Sequence, residues 1–455
     1  VFWRMFGRRG TVVGSRASYT WEFGVRRRDA PNDTSWGTIR DFNGDGFDDL
    51  TIFRQQRPMG DPADLLLVLG SGAGLREPVV TGVVAGHRPT RANIGDFNGD
   101  GLADIAWDDR TQSGPLRSWF EVVEGSRGRM RSSVQPDVNM LGSCAVTSQA
   151  AVVDWNGDGY SDLIFSVLFG CNFFRPREAS ILLGYSGSPM GIATAPQWAL
   201  RLSERFTHSF VSITAGLSDL DDDGYGDISV VSRFSGSGTS SVPTEHAILH
   251  GTTGGEPRIE RIPEPSPVRG AWRDGVPASI GDVDGDGRQD FLLRLNHSSP
   301  VYIYRSSTGL SGPSSILTDP IGGGNFGFYF SSGDVNGDGL SDVIIASQLA
   351  TTMEREGMPI NEGRVYVFLG SPGGVVSQPV WLERAVPYLG APIRHLFGGE
   401  SVCPGDLNGD GIDDITMGDS LNSQLCVHYG RIGVVNGSPD SCLDGVMPSG
   451  TANSY

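Results

Sequence analysis

The chain has 455 residues, of which 65 are Gly and 27 are Pro, and its formal net charge at pH 7 is −18. It is too long for one ordinary hydrophobic core but suits a single repeat domain, and its acidity excludes the basic surface typical of a nucleic-acid-binding protein. No run of 18 or more apolar residues occurs, so we expect no membrane-spanning segment. The chain begins at Val1 rather than Met, which leads us to expect that the natural N-terminus lies upstream.

Residues 1–30 differ in pattern from the rest of the chain. Aromatic residues alternate with other residues in the stretches 2–6 and 19–25, which predicts two antiparallel strands. This spacing resembles the last two strands of a fibronectin-type or immunoglobulin-like sandwich. We therefore expect residues 1–30 to be the C-terminal strands of a truncated upstream domain. The alternative is that one of these strands closes a ring of repeats formed by residues 31–455.

Seven acidic loops recur in one register through residues 31–455. Each has Asp at positions 1, 5 and 9, Asn or Asp at position 3, and Gly at position 6; residues 334–342, for example, read DVNGDGLSD. Consecutive loops start 52–72 residues apart. A fixed pattern at such a period indicates a repeat architecture.

Five positions in each loop are candidate metal ligands. Position 1 supplies Asp41, Asp96, Asp154, Asp219, Asp282, Asp334 and Asp406. Position 3 supplies Asn43, Asn98, Asn156, Asp221, Asp284, Asn336 and Asn408. Position 5 supplies Asp45, Asp100, Asp158, Asp223, Asp286, Asp338 and Asp410. Position 9 supplies Asp49, Asp104, Asp162, Asp227, Asp290, Asp342 and Asp414. Position 7 would contribute only a backbone carbonyl, at Phe47, Leu102, Tyr160, Tyr225, Arg288, Leu340 and Ile412.

Ligands that are all oxygen predict a hard cation, and calcium tolerates the irregular geometry of a loop. No His or Cys occurs in the loops, which argues against zinc or copper. Seven calcium ions, one per repeat, would offset most of the negative charge of the chain. The alternative is a set of Asx/Gly turns without metal, but the three or four carboxylates of each loop would then repel one another.

The loops are not EF-hands, because an EF-hand requires Glu at position 12 and a helix on each side. Position 12 is apolar in all seven loops, and each loop leads directly into a short apolar run such as residues 343–346. Such runs, bounded by Gly and Ser, predict buried strands. We therefore expect each loop to cap a β-hairpin.

Each repeat is predicted to contain four short strands. One enters the loop, as at residues 92–95, a second leaves it, and a third ends near a Gly-rich turn; the third strands are predicted at 65–69, 119–123, 179–183, 246–250, 301–304, 365–369 and 425–429. Six of them meet Gly within two residues, at Gly70, Gly125, Gly184, Gly251, Gly370 and Gly430. A fourth strand fits after the turn, as at residues 380–382. This module predicts an all-β, seven-bladed β-propeller with four-stranded antiparallel blades.

Residues 35–440 resemble the FG-GAP repeats that build the β-propeller of integrin α subunits and of many bacterial relatives. The acidic loop and the strand-Gly-Ser turn, as in VYVFLGSPGG at 365–374, carry this resemblance. The Phe-Gly element is clear only at Phe326-Gly327 and Phe397-Gly398, and the Gly-Ala-Pro element is absent from its expected place. The resemblance implies calcium loops on one face of the disc and partner binding on the opposite face. It also implies a family that contains adhesins, lectins and some propellers attached to hydrolases or lyases.

None of the five cysteines has metal-ligand spacing. Cys144 and Cys171 flank the third loop and are candidates for a disulfide within one repeat. Two of Cys403, Cys426 and Cys442 are candidates for a second disulfide. Calcium sites together with disulfides favour an extracellular or cell-surface location.

No catalytic constellation is visible in the sequence. His246 and His250 share one strand face, and we interpret them as strand packing because no acidic partner is placed by sequence. Residues 322–327 match G-x-G-x-x-G but lack the surrounding βα unit of a nucleotide site. The preferred hypothesis is therefore a secreted or cell-surface, calcium-stabilised propeller that binds a protein or a glycan in adhesion. The alternatives are a structural spacer in a multidomain surface protein and a propeller-based lyase or hydrolase.

Overall fold

The computed structural model describes residues 2–3, 6–9, 12–17, 21–22, 40–55, 63–76, 79–84, 92–110, 118–125, 131–133, 145–169, 179–207, 210–233, 245–263, 276–295, 300–320, 322, 326–347, 351–355, 358–361, 364–382, 401–419, 424–433, 435 and 437–444. Strands dominate this part of the chain, and a short 3-10 helix spans Ser306–Ser311. No helix in these ranges is long and apolar enough to cross a membrane.

Seven antiparallel sheets follow one another along residues 40–444. The first contains Leu50–Gln55, Ala63–Val68 and Val79–Val84. The second contains Ala92–Gly95, Asp104–Arg110, Ser118–Glu124 and Arg131–Ser133. The third contains Ala145–Val153, Asp162–Phe169, Ala179–Tyr185 and Trp198–Arg201. The fourth contains Phe210–Ser218, Asp227–Arg233, Glu245–Leu249 and Ile259–Ile262.

The remaining sheets repeat this arrangement. The fifth contains Val276–Gly281, Asp290–Arg294, Val301–Tyr304 and Ser315–Leu317. The sixth contains Phe326–Gly333, Asp342–Ser347, Arg364–Phe368 and Val380–Leu382, with a separate hairpin of Thr351–Arg355 and Met358–Asn361 between its second and third strands. The seventh contains Ser401–Gly405, Asp414–Asp419, Gln424–His428 and Ser441–Asp444.

Within every sheet the strands lie in chain order and neighbours are antiparallel, so each sheet is a simple meander. The inner strands are nearly continuous apolar runs; Asp290–Arg294, for example, is buried along its whole length. Such a run, rather than an alternating one, is expected where a sheet is covered on both faces. The predicted strand boundaries are confirmed to within two residues for all seven third strands and for residues 92–95 and 380–382.

Apolar side chains fill the spaces between neighbouring sheets. Ile164 of the third sheet and Val230 of the fourth belong to one such cluster. The last sheet packs on the first in the same way, because Leu425 lies in a cluster with Leu66 and Val68. This packing of each sheet on the next is the architecture of a β-propeller.

The prediction of seven four-stranded blades is not confirmed. The described residues form six four-stranded sheets, whereas the first sheet has three strands. The strand that would precede the first acidic loop falls before Arg40, on residues 23–39, which lie outside the described part of the chain.

Near the N-terminus, Phe2–Trp3 pairs antiparallel with Trp21–Glu22, in agreement with the predicted strand pair. A second hairpin joins Phe6–Arg9 to Val12–Ala17. The assignment of residues 1–30 to an upstream sandwich domain, or to a ring-closing strand, stays a prediction.

One predicted disulfide is present. Cys426 and Cys442 lie opposite each other on the third and fourth strands of the seventh sheet and are bonded. Cys144 and Cys171 lie outside the described residues, so their predicted pairing stays a prediction.

Candidate metal centres in the acidic loops

In the second to seventh sheets the acidic loop joins the first and second strands, and the first loop leads into the strand Leu50–Gln55. In the second sheet, Gly95 pairs with Asp104 at the base of the loop, and in the third sheet Val153 pairs with Asp162 in the same way. Strands, not helices, therefore flank the loops, which confirms that they are not EF-hands.

The Asp at position 1 organises the backbone of its loop. In the first loop, Oδ1 of Asp41 accepts from the N–H of Gly44 at 2.6 Å, and Oδ2 accepts from the N–H of Gly46 at 2.9 Å. In each of the other loops the position-1 carboxylate likewise accepts from the N–H at position 6. The chain thereby curls around this carboxylate.

Two loop positions require a left-handed backbone. The Gly at position 6 has φ between 84° and 91° in all seven loops, which explains the invariant Gly of the pattern. Position 4 has φ between 69° and 78° where it is Gly, and in the fourth loop Asp222 takes this conformation at φ 62°. Asp is among the few residues other than Gly that tolerate this region.

The Asp at position 9 ties its loop to the third strand of the sheet. Asp104 is fully buried; its Oδ2 accepts from the N–H of Phe97 at 2.8 Å and its Oδ1 accepts from the N–H of Gly125 at 2.8 Å. The equivalent long-range donors are Gly70, Gly187, Gly251, Ser306, Gly370 and Gly430. The prediction that the turn after the third strand of the third sheet begins at Gly184 was therefore wrong, because Gly184 lies within the strand Ala179–Tyr185. Gly187 is the turn residue whose N–H donates to the position-9 Asp162.

Burial raises the pKa of the seven position-9 carboxyls and of Asp41, Asp96, Asp154, Asp219, Asp334 and Asp406 at position 1, because the charged form loses solvation. The pKa rises to about 8 for Asp104, Asp162 and Asp414, to about 7 for Asp49, Asp290 and Asp342, and to about 6 for Asp96, Asp154 and Asp219. Backbone N–H donors lower these values and neighbouring loop carboxylates raise them further. A cation bound in the loop would restore the ionised form.

Neighbouring loops are joined directly through their backbones. In six of the loops the N–H at position 8 donates to the carbonyl of position 1 in the preceding loop, as between Ala103 and Asp41 at 2.9 Å, and between Gly226 and Asp154 at 2.7 Å. The same bond joins the first loop to the seventh, from Asp48 to Asp406 at 3.1 Å. The loops therefore lie side by side along one edge of the sheets.

Basic side chains reach the two loops that have Asp at position 3. In the fifth loop, Arg305 Nη1 lies 3.0 Å from Asp284 Oδ2. In the fourth loop, His250 Nδ1 lies 3.2 Å from Asp221 Oδ2 and 3.3 Å from Asp227 Oδ1. Burial lowers the pKa of His250, but the carboxylates of Asp227 and Asp221 beside Nδ1 raise it, and the net direction is upward.

His250 and Arg305 occupy equivalent positions in their repeats. Each lies immediately before the residue whose N–H donates to the position-9 Asp. At this register the loops with Asn at position 3 have Leu69, Glu124, Ser186, Leu369 and Tyr429. The two loops that have a fourth carboxylate, at position 3, are therefore also the two that have a basic residue at this position of the repeat. The interpretation of His250 as strand packing without an acidic partner was wrong, because Asp221, Asp227 and Glu260 all contact its ring. His246 is buried in the strand Glu245–Leu249, as expected.

The structure brings predicted ligands together in the fourth and fifth loops, and the full ligand set at positions 1, 3, 5, 7 and 9 of the seven loops stays a prediction. Oxygen atoms of Asp219, Asp221 and Asp223 lie within 4.8 Å of one another, and so do those of Asp282, Asp284 and Asp290. The N–H at position 7 donates to the position-5 carboxylate, as from Phe47 to Asp45 at 3.1 Å. A clustered set of oxygen donors on one tight turn fits the chemistry of calcium.

Comparison with known proteins agrees with the fold and the loops. The FG-GAP-like repeat family matches residues 41–107 and 282–345, and the FG-GAP repeat family matches residues 326–368. Integrin alpha-8 of Gallus gallus is 26% identical over 190 residues, covering 39% of this chain and 17% of that protein. Integrin alpha-2 of Mus musculus is 32% identical over 163 residues, covering 33% of this chain and 13% of that protein. The chain thus spans less than a fifth of these relatives.

A solved structure of the Trypanosoma rangeli sialidase in complex with sialic acid aligns with a TM-score of 0.41 at 9% identity, covering 83% of this chain and 58% of that chain. A similarity this low is no evidence for a shared activity. The sheets and their loops define a β-propeller whose hairpins carry acidic turns. The repeats in residues 41–107 and 282–368 match FG-GAP repeats, and the fold together with these matches defines an integrin α-like β-propeller protein.

Proposed function

We propose that the chain is a seven-bladed, calcium-stabilised β-propeller that binds a protein or glycan ligand in adhesion at the cell surface or outside the cell. The observation that carries the proposal is the recurrence of the same carboxylate and amide oxygen donors in seven loops, with backbone hydrogen bonds between neighbouring loops. The FG-GAP match and the similarity to integrin α chains support the same function. The proposal is a binding function rather than a catalytic one.

Calcium has a structural role in this proposal, at up to seven sites. Extracellular calcium modules have a Kd of about 10⁻⁴–10⁻³ M, so a site at ten times its Kd contributes roughly 1.4 kcal/mol to folding. Seven such sites contribute about 10 kcal/mol, which is comparable to the whole stability of a domain. Because the N–H of one loop donates to the carbonyl of position 1 in the loop before it, we expect the sites to be coupled rather than independent.

Two features support a location outside the cytosol. Sites of this affinity fill at millimolar calcium, and the disulfide between Cys426 and Cys442 persists in an oxidising compartment. The ligand itself would bind on the face opposite the acidic loops, as the resemblance to integrin α implies.

A binding experiment tests this function. The full chain is immobilised and exposed to envelope proteins and to a glycan array, in millimolar calcium and in EGTA. We expect a defined ligand to be retained in calcium and released in EGTA. Asp158→Asn is the control for the loss of a single metal ligand, because it removes one loop carboxylate but keeps the oxygen that accepts from the N–H of Tyr160. Retention of no ligand in calcium contradicts adhesion and favours a structural spacer.

A further inference from the structure

The fourth loop differs from its neighbours because an imidazole nitrogen faces its carboxylates. We propose that His250 Nδ1, Asp221 and Asp227 form a mixed nitrogen–oxygen site for a divalent transition metal of the zinc class. The proposal does not depend on calcium in the other six loops. It concerns the metal that this one loop selects.

The ligand atoms have the separations of a coordination shell. His250 Nδ1 lies 3.2 Å from Asp221 Oδ2 and 3.3 Å from Asp227 Oδ1. Two donors that each lie about 2.1 Å from a tetrahedral zinc ion are about 3.4 Å apart. The three residues also form a cluster in which one ligand atom from each lies within 4.8 Å of the others.

The imidazole is buried and aimed at these carboxylates. The His250 side chain is 5% exposed and that of Asp227 is 0% exposed. Nδ1 of His250 and Oδ1 of Asp221 are both buried and have no hydrogen-bond partner among the described residues. A buried polar atom without a partner is costly, and a metal ion between the imidazole and the carboxylates would satisfy both residues.

The opposite side of the ring has the partner that a metal-binding histidine requires. Nε2 of His250 lies 3.3 Å from Glu260 Oε2, and Arg258 Nη1 lies 2.8 Å from the same oxygen. An ionised carboxylate only accepts hydrogen bonds, so Glu260 favours a proton on Nε2. A metal ion in the loop would take the lone pair of Nδ1 in place of a proton shared with Asp221 and Asp227. A carboxylate behind the histidine is the usual second contact of a metal-bound imidazole.

The nitrogen donor also explains why we expect the fourth loop to prefer a transition metal over calcium. Calcium takes oxygen ligands, whereas imidazole suits zinc, nickel and related ions. Arg258 Nη2 additionally bonds to Asp221 and places a positive charge at the loop. The fifth loop provides an internal comparison, since Arg305 stands at the register of His250 and contacts Asp284 but has no lone pair to offer.

The test uses the full chain, stripped of metal and then held in millimolar calcium. Zn²⁺ is added in competition with a chromophoric chelator, and Co²⁺ is added separately to detect nitrogen ligation by its visible absorption. We expect one equivalent of zinc to bind in the presence of excess calcium. We expect His250→Gln to abolish this binding and Glu260→Ala to weaken it by about 10- to 100-fold. His250→Arg, which copies the fifth loop, should also abolish it.

A second measurement covers the case in which a His250 variant does not fold. Long-range proton–nitrogen NMR of the unmodified chain should show zinc shifting the Nδ1 resonance of one histidine and leaving the others unchanged. The proposal is overturned if zinc does not bind in excess calcium, if His250→Gln binds it equally, or if the His250 ring carries protons on both nitrogens and is unaffected by zinc. The calcium content of the same samples separately shows whether the other loops hold calcium.

Discussion

Asp48 and Asp406 exchange two hydrogen bonds across 358 residues of sequence. The N–H of Asp48 donates to the Asp406 carbonyl at 3.1 Å, and the N–H of Asp406 donates to Asp48 Oδ2 at 3.0 Å. This pair joins the first acidic loop to the seventh, and the same two sheets pack on each other through the cluster that contains Leu425 and Leu66. The beginning and the end of the repeat region are thus held by the same contact that joins other neighbouring loops.

Removal of the Asp48 carboxylate should weaken the contact between the first and seventh sheets. Asp48→Ala leaves the N–H of Asp406 without its acceptor, and we expect a loss of about 1.5–3 kcal/mol in the free energy of unfolding. Hydrogen exchange should accelerate in the first and seventh sheets. Asp413→Ala is the matched control, because the Asp413 carboxylate accepts from the N–H of Asp334 at 2.8 Å between the sixth and seventh loops. Equal exchange patterns in the two variants would contradict a specific role for Asp48.

Two carboxylates of the second loop should respond differently to neutralisation. Asp104→Asn places an amide NH₂ against the N–H of Phe97 or Gly125 and should cost about 1–3 kcal/mol, with or without calcium. Asp100→Asn keeps an oxygen that accepts from the N–H of Leu102 and should lower stability only in calcium. Chemical denaturation in both conditions measures each effect. Identical behaviour of the two variants would show that position 9 has no separate structural role.

The stabilisation by calcium should increase with pH between about 5 and 8. Burial raises the pKa of Asp104 to about 8 and that of Asp49 to about 7, whereas an unfolded Asp titrates near 3.9. The metal-free folded chain therefore binds more protons than the unfolded chain in this interval, and its stability falls as pH rises through the folded pKa values. Calcium takes the place of these protons. Melting temperatures of dialysed protein with and without calcium at pH 5, 6, 7 and 8 should diverge steadily, and a constant difference would contradict this coupling.

Reduction of the disulfide between Cys426 and Cys442 should destabilise the seventh sheet. The bond closes a segment with a sequence separation of 16 residues, for which we expect a contribution of about 3 kcal/mol. The measurement is chemical denaturation with and without dithiothreitol. The double variant Cys426→Ala/Cys442→Ala is the control and should lose this response; any response that persists reports another disulfide in the chain.

The loops and strands could be predicted from the sequence because their determinants are local. Gly at position 6 is required by a left-handed backbone within the loop, and the apolar run after Asp290 fills one buried strand. The contacts of His250 could not be predicted, because Asp221 and Glu260 reach it only after the fourth sheet has formed. The presence of Asp instead of Asn at position 3 was the available signal. Ring closure through Asp48 and Asp406 is equally invisible in a pattern with a period of 52–72 residues.

The most direct test of the central claim is thermal unfolding of the full chain after its metal has been removed and the removal verified by elemental analysis. Addition of millimolar calcium should raise the melting temperature by a large margin and restore several calcium ions per chain. An unchanged melting temperature, with no calcium taken up, would show that the acidic loops are metal-free turns and would contradict the account.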